Sequence, residues 1–137
     1  MLSNYKKILG ILMFGTLLFI ASCKKDDSNA PGAEDADKYV GTWSCRETET
    51  GQQPVTFPIT ISKVNANTIK ITNFNNLNTQ TFATATVSGS ALSITKQTIN
   101  GSEYSGSGSV SGNTLNLNYT EKNSQGDTFS YQATCTK

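Results

Sequence analysis

Histidine is absent from the 137 residues, and that gap removes the commonest general base and metal ligand from any candidate site. Cysteine is scarce, at three residues, too few to build a sulfur-based metal site without histidine. Charged side chains make up 15% of the chain and nearly cancel, to a formal net of +1. No basic patch with interleaved aromatics occurs, so the usual footprint of nucleic-acid binding is missing. Helical periodicity is also missing from Tyr39 to Lys137, which argues against crossover helices and a parallel sheet. Gly106-Ser107-Gly108 does not follow a strand and open a helix, so it is no phosphate loop. Only one long apolar run is present, and it lies near the start.

That run extends from Ile8 to Ile20, interrupted by Gly10, Gly15 and Thr16, after a positive stretch at Lys6 and Lys7. Its 13 residues fall short of the roughly 20 needed to span a bilayer as a helix. Positive start, short apolar middle and small residues Ala21-Ser22 together form the pattern of a secretory signal peptide. The sequence Ile20-Ala21-Ser22-Cys23 resembles the bacterial lipobox, in which an aliphatic and two small residues precede a cysteine. The resemblance implies cleavage after residue 22, lipidation of the Cys23 sulfur by a palmitate-type chain and acylation of the new amino terminus. Stable attachment then needs no spanning helix, because each buried methylene contributes roughly 0.8 kcal/mol and more than one chain is attached. Without residues 1–22 the chain keeps nine basic and ten acidic side chains, a net of −1.

With Cys23 assigned to lipid, Cys45 and Cys135 remain as an even pair in an oxidising compartment, and a disulfide is the expected state. Residues 24–37 read KKDDSNAPGAEDAD and hold no aliphatic side chain larger than alanine. Such a segment cannot bury enough surface to offset its ordering entropy, so residues 23–38 are expected to form a flexible tether. Lys24-Lys25-Asp26-Asp27 is similar to the export signals of Bacteroidota surface lipoproteins; an ordinary solvated linker fits the same residues. The expected address is the outer membrane, on its periplasmic or its outer surface.

From residue 39 to 137 the pattern has period 2, the signal for half-buried strands. Tyr39, Trp43 and Cys45 share a face, as do Val55, Phe57, Ile59 and Ile61, then Ile69 and Ile71. In the fourth strand Ala83, Ala85 and Val87 compete with Phe82 for the inward face. Leu92 and Ile94, then Tyr104 to Val110, then Leu115, Leu117 and Tyr119, and last Phe129 to Cys135 complete eight strands. Asn100-Gly101 and Gly112-Asn113 mark tight turns between them.

The cysteines bear on closure, since residues whose Cα atoms lie more than about 7 Å apart cannot be bridged. The outer strands of an open eight-stranded meander would be about 33 Å apart. Cys45 in the first strand and Cys135 in the last can therefore pair only if those strands meet, in a barrel or across a sandwich. The fold expected is all-β, an eight-stranded antiparallel up-and-down barrel, which also removes exposed edges. Gly106 and Gly108 on an inward face fit sharp bending and relief for neighbouring rings, or a cavity lining. Gly41-Thr42-Trp43 at the head of the first strand resembles the Gly-x-Trp motif that opens lipocalin-type barrels. The resemblance implies that Trp43 packs at the barrel floor beside a basic residue near the last strand, with Lys137 and Lys122 available. The whole arrangement is similar to small lipocalin-like lipoproteins of Bacteroidota.

No catalytic constellation stands out. Glu47 and Glu49 share a face and read as solvated carboxylates, while Ser93 and Lys96 fall on opposite faces. An enzyme, a cofactor and a metal are therefore not expected. One reading is a monomeric carrier of a small apolar or amphipathic ligand, since eight strands enclose just enough room for one. Its candidate lining is Trp43, Phe57, Ile59, Ile71, Leu92, Ile94, Tyr104, Leu117, Tyr119 and Tyr131, each of which reads first as plain core, because a domain this small needs the burial. The other reading is a filled scaffold whose loops, above all Asn73 to Thr79, bind a surface protein or glycan.

Overall fold

The computed structural model describes residues 34–137; the signal segment, Cys23 and the tether as far as residue 33 lie outside the described residues. Eight strands follow one another: β1 (Gly41–Glu49), β2 (Val55–Asn65), β3 (Thr68–Thr72), β4 (Phe82–Ser88), β5 (Ala91–Ile99), β6 (Ser102–Ser111), β7 (Thr114–Lys122) and β8 (Thr128–Thr136). Each pairs antiparallel with the next, and β8 returns to β1, so the sheet is a closed barrel. The seam between β1 and β8 runs from Ser44 opposite Thr136 to Glu49 opposite Tyr131. Within it Cys45 faces Cys135, and the two form a disulfide across Cα atoms 3.9 Å apart. Closing 90 residues of chain contributes about 4–5 kcal/mol in the loop-entropy model.

The alternation in sequence sets which side chains fill the interior. Trp43 and Cys45 of β1, Phe57, Ile59 and Ile61 of β2, and Ile69 and Ile71 of β3 are all buried. In β4 the small residues turn inward with Val87, while Phe82 lies outside beneath the Lys70 ammonium, 4.4 Å from its ring centre. A bulge between Ile94 and Gln97 shifts the parity of β5, so that Ile99 joins Leu92 and Ile94 inside. Gly106 and Gly108 lie tight against β7: a Cβ on Gly106 would fall 2.7 Å from the Tyr119 Cα, and one on Gly108 2.5 Å from the Asn116 carbonyl oxygen. Their role is close approach to the neighbouring strand.

The expected tether ends earlier than residue 38. Asp35–Lys38 form a 3-10 turn packed on the barrel, with Ala36 fully buried. Ala36 donates its N–H to the Ala66 carbonyl, and the Gly89 N–H donates to the Asp35 carboxylate at 2.8 Å. The composition disfavours a core for this segment alone, yet two turns of the barrel supply its partners. It closes one end of the barrel, where β1 begins and β8 ends. Trp43 lies there, its indole N–H donating to the Tyr39 carbonyl at 2.7 Å, with the Lys137 Nζ 4.3 Å from its ring centre. The Lys137 Nζ also donates to the Val40 carbonyl at 3.0 Å.

Candidate functional site

The opposite end gathers the β1–β2 loop, the long β3–β4 connection, the Asn100-Gly101 turn and the β7–β8 loop. The β3–β4 connection does not stay at the surface. Asn73, Asn75 and Asn76 adopt left-handed conformations, with φ of 61°, 53° and 53°, which asparagine tolerates better than other side chains bearing a Cβ. Asn73 donates from Nδ2 to the Pro58 carbonyl at 2.8 Å. That coiling drives Phe74 into the barrel, 1% exposed, with its ring centre 4.5 Å from that of Tyr119 and 5.6 Å from that of Tyr104.

Asn75 follows Phe74 inward and joins a polar network. Its Nδ2 donates to Glu121 at 3.2 Å and to the Tyr104 hydroxyl at 3.4 Å, and its Oδ1 lies 2.9 Å from the Tyr119 hydroxyl. Tyr131 donates to the same Glu121 oxygen at 3.1 Å, and its ring stacks on Tyr119 at 5.0 Å between centres. Glu47 closes the network through a short hydrogen bond between its Oε2 and the Tyr119 hydroxyl.

Glu47 departs from expectation. It was to be a solvated carboxylate beside Glu49, but it is only 4% exposed. Parity explains this: Glu47 follows Trp43 and Cys45 on the inward face of β1. Burial pushes its pKa above the usual carboxylate value, and the hydrogen bond from Tyr119 opposes that only in part. Burial, and then the nearby Glu47 charge, likewise push the Tyr119 hydroxyl far up. Tyr131 and Tyr104 are raised too, first by burial.

Above this network lies an open cleft of about 500 Å³, lined by Glu47, Glu49, Gln52, Gln53, Val55, Asn75, Asn76 and Tyr131. That volume lies within the range of small-molecule sites. Of the ten residues expected to line a cavity, only Tyr131 reaches this cleft. Trp43, Phe57, Ile59, Ile71, Leu92, Ile94, Tyr104, Leu117 and Tyr119 are all at least 95% buried in one core. A domain of this size needs that burial for stability. The arrangement offers carboxyl, amide and phenol groups around one aromatic wall, which suits polar recognition more than uptake of an oily chain. Among the described residues no cluster of three or more metal-ligating side chains occurs.

Neither the family models nor the curated proteins give a match to this sequence. Among solved structures the barrel is similar to EF1p2_mFAP2b bound to DFHBI, with a TM-score of 0.57 and 16% identity over 77% of this chain and 98% of that one. It is also similar to a redesigned β-barrel, b11L5F_LGL, with a TM-score of 0.57 and 13% identity over 77% of this chain and 96% of that one. At such identities the likeness establishes the shared barrel fold.

Proposed function

We propose that this chain is an outer-membrane lipoprotein whose barrel binds a small amphipathic ligand at its mouth. The observation that carries the reading is the cleft of about 500 Å³ in which Glu47, Glu49, Asn75 and Tyr131 converge at one end of an otherwise packed barrel. A barrel of similar backbone is known in complex with DFHBI, which supports small-molecule binding by this architecture. The site belongs to the mouth and not to the lumen, whose middle is filled by Trp43, Ile59, Ile71 and their neighbours.

In the filled-scaffold alternative the Asn73–Thr79 loop would present only Asn76, Asn78 and Thr79 to a partner, because Phe74 turns inward and Asn75 joins the network beneath the cleft. Both the 3-10 turn at residue 35 and Lys137 lie at the closed end. Residues 23–33, at most about 40 Å when extended, then join that end to lipid on Cys23.

Native mass spectrometry of the full chain, extracted in detergent from its host's membranes, tests both parts. We expect a lipid mass that Cys23→Ser removes and a co-purifying small molecule that Tyr131→Ala depletes at least about tenfold, the scale of losing a packed aromatic contact. A Cys23→Ser chain that stays in the membrane fraction refutes the anchor. Unliganded protein alone, together with a partner recovered equally by wild type and Tyr131→Ala, refutes the cleft.

A further inference from the structure

The ligand-binding reading leaves open which chemistry the mouth prefers, and the charges around it narrow the choice. Glu34 and Asp37 pair with Lys63, Asp35 with Lys38, and Glu103 with Lys96. Among the described residues no ion pair holds Glu47, Glu49 or Glu121, the three carboxyls of the cleft and the network beneath it. No lysine or arginine lines the cleft. Glu47 is the most costly of the three, because it is buried and a buried charge without a partner is strongly disfavoured.

Hydrogen counting sharpens the point. The Tyr119 hydroxyl has one hydrogen but two acceptors within reach, Glu47 Oε2 and Asn75 Oδ1. Asn75 cannot profitably turn over, because its Nδ2 is held by Glu121. Every contact is satisfied if Glu47 is itself protonated, donates to Tyr119, and leaves the phenol hydrogen for Asn75. With Glu47 ionised, the phenol hydrogen goes to the carboxylate, and Asn75 Oδ1 loses its donor. Among the protein's own groups the network is therefore consistent as a neutral acid, while the ionised network needs a donor from outside it, from water in the open cleft or from a ligand. Glu47 Oε1, for which the described residues supply no hydrogen-bond donor, belongs to a residue of the cleft wall.

We propose that the mouth takes an organic ammonium ion, with Glu47 as its counter-charge, Asn75 Oδ1 as a second acceptor and the Tyr131 ring beside its apolar part. This rests on the ligand-binding reading and names the ligand class. An ammonium group supplies the missing donors, one to Glu47 Oε1 and one to Asn75 Oδ1. The neutral acid gives its proton to solvent as the cation enters, so charge balances in the site. Half-buried Tyr131 offers a face to the ligand's carbon skeleton and to its charge. The groups that face Glu47 are Glu49 from its own strand, Tyr119 and Glu121 from β7, Tyr131 from β8, Tyr104 from β6 and Asn75 from the β3–β4 connection; none is a base that would supply the cation itself.

Isothermal titration of the full chain in nonionic detergent distinguishes the outcomes, using 2-phenylethylamine and its neutral analogue 2-phenylethanol from about pH 5 to about pH 8. We expect the amine to bind at least about tenfold tighter than the alcohol at the upper end. That preference should shrink as pH falls, and over the range in which it shrinks buffers of different ionisation enthalpy should report release approaching one proton per amine. Glu47→Gln should erase the preference and the proton release while the alcohol still binds. An alcohol that binds as well as the amine, or an amine preference that is flat with pH and releases no proton, overturns the ammonium assignment and leaves the cleft reading intact. Binding of neither compound counts against both. The pH profile and proton count come from the wild type, so a Glu47→Gln chain that failed to fold would not blunt the test.

Discussion

The two ends of this barrel use the same materials for opposite purposes. At the closed end, carboxylates are kept charged. The Gly89 N–H, then Lys38, hold Asp35 below the usual carboxylate value, and Lys63, then the Glu34 N–H, do the same for Asp37. At the mouth, Glu47 is pushed the other way by burial and has no cation. The closed-end aromatic, Trp43, is fully buried with its N–H satisfied and a lysine over its ring. The mouth aromatic, Tyr131, is half-buried and borders a cleft. At the closed end the carboxylates and the Trp43 indole have partners, although the buried Tyr39 hydroxyl has none, whereas at the mouth a carboxyl without a cation and a half-buried ring border open space.

The largest effect that separates the ends comes from their aromatics. Trp43→Ala should cost about 3–5 kcal/mol, as expected for deleting a large, fully buried ring. Tyr131→Ala should cost less than half of that, because its ring is only partly buried and its hydroxyl bonds at the rim. Urea unfolding of both variants measures the contrast. Equal losses would break it and would make Tyr131 a core residue in energetic terms.

Much of the closed end was legible in sequence, and the reasons are local. Period-2 alternation placed Trp43, Phe57, Ile59 and Leu117 inside, and two cysteines in the first and last strands required those strands to meet. The lysine over Trp43 was not singled out, since Lys122 and Lys137 were equally available and only the structure places Lys137 there. The mouth was much less legible. Strict parity along β1 would have put Glu47 inside, but a glutamate's ordinary preference for solvent overrode that signal. The inward fold of Phe74 and Asn75 depends on three left-handed asparagines in one loop, and an Asn-rich stretch equally describes a solvated turn. Ile99 escaped because a bulge changes parity within β5. For Glu47 the local pattern was right and the residue type misleading, whereas for Phe74, Asn75 and Ile99 the backbone conformation of a loop or a bulge decided the side chain's place.

A smaller effect ties the wall to the mouth. Gly106 lies directly opposite Tyr119, and a methyl group there would meet the Asn118 carbonyl and the Tyr119 backbone. Gly106→Ala should therefore destabilise the barrel by about 1–3 kcal/mol, the usual scale of overpacking. It should also move Tyr119 away from Glu47 and Asn75. Gly112→Ala provides the contrast at the closed end: nothing lies within 4 Å of its would-be Cβ, and its cost arises from its φ of 56° alone. Chemical-shift changes at Asn75 and Tyr131 in the first variant but not the second would confirm that the mouth depends on this packing. Changes at neither would detach the network from the wall.

The smallest effect is the response to pH, and its sign should differ between the ends. Asp35 and Asp37 have folded pKa values below their unfolded ones, so their contribution is complete above about pH 4 and is lost as pH falls through the folded values. Glu47 is raised, so the folded chain holds a proton that the unfolded chain has released. Stability then declines as pH rises from the usual carboxylate value through that of Glu47. Urea midpoints from about pH 2 to about pH 8 should climb, reach a maximum and sag. Glu47→Gln should remove the sag and keep the acid limb, whereas Asp35→Asn with Asp37→Asn should flatten the acid limb and keep the sag. A Glu47→Gln profile parallel to wild type would mean that Glu47 ionises freely in the folded chain. The mouth would then carry a ready-made negative charge, and an entering cation would have no proton to displace.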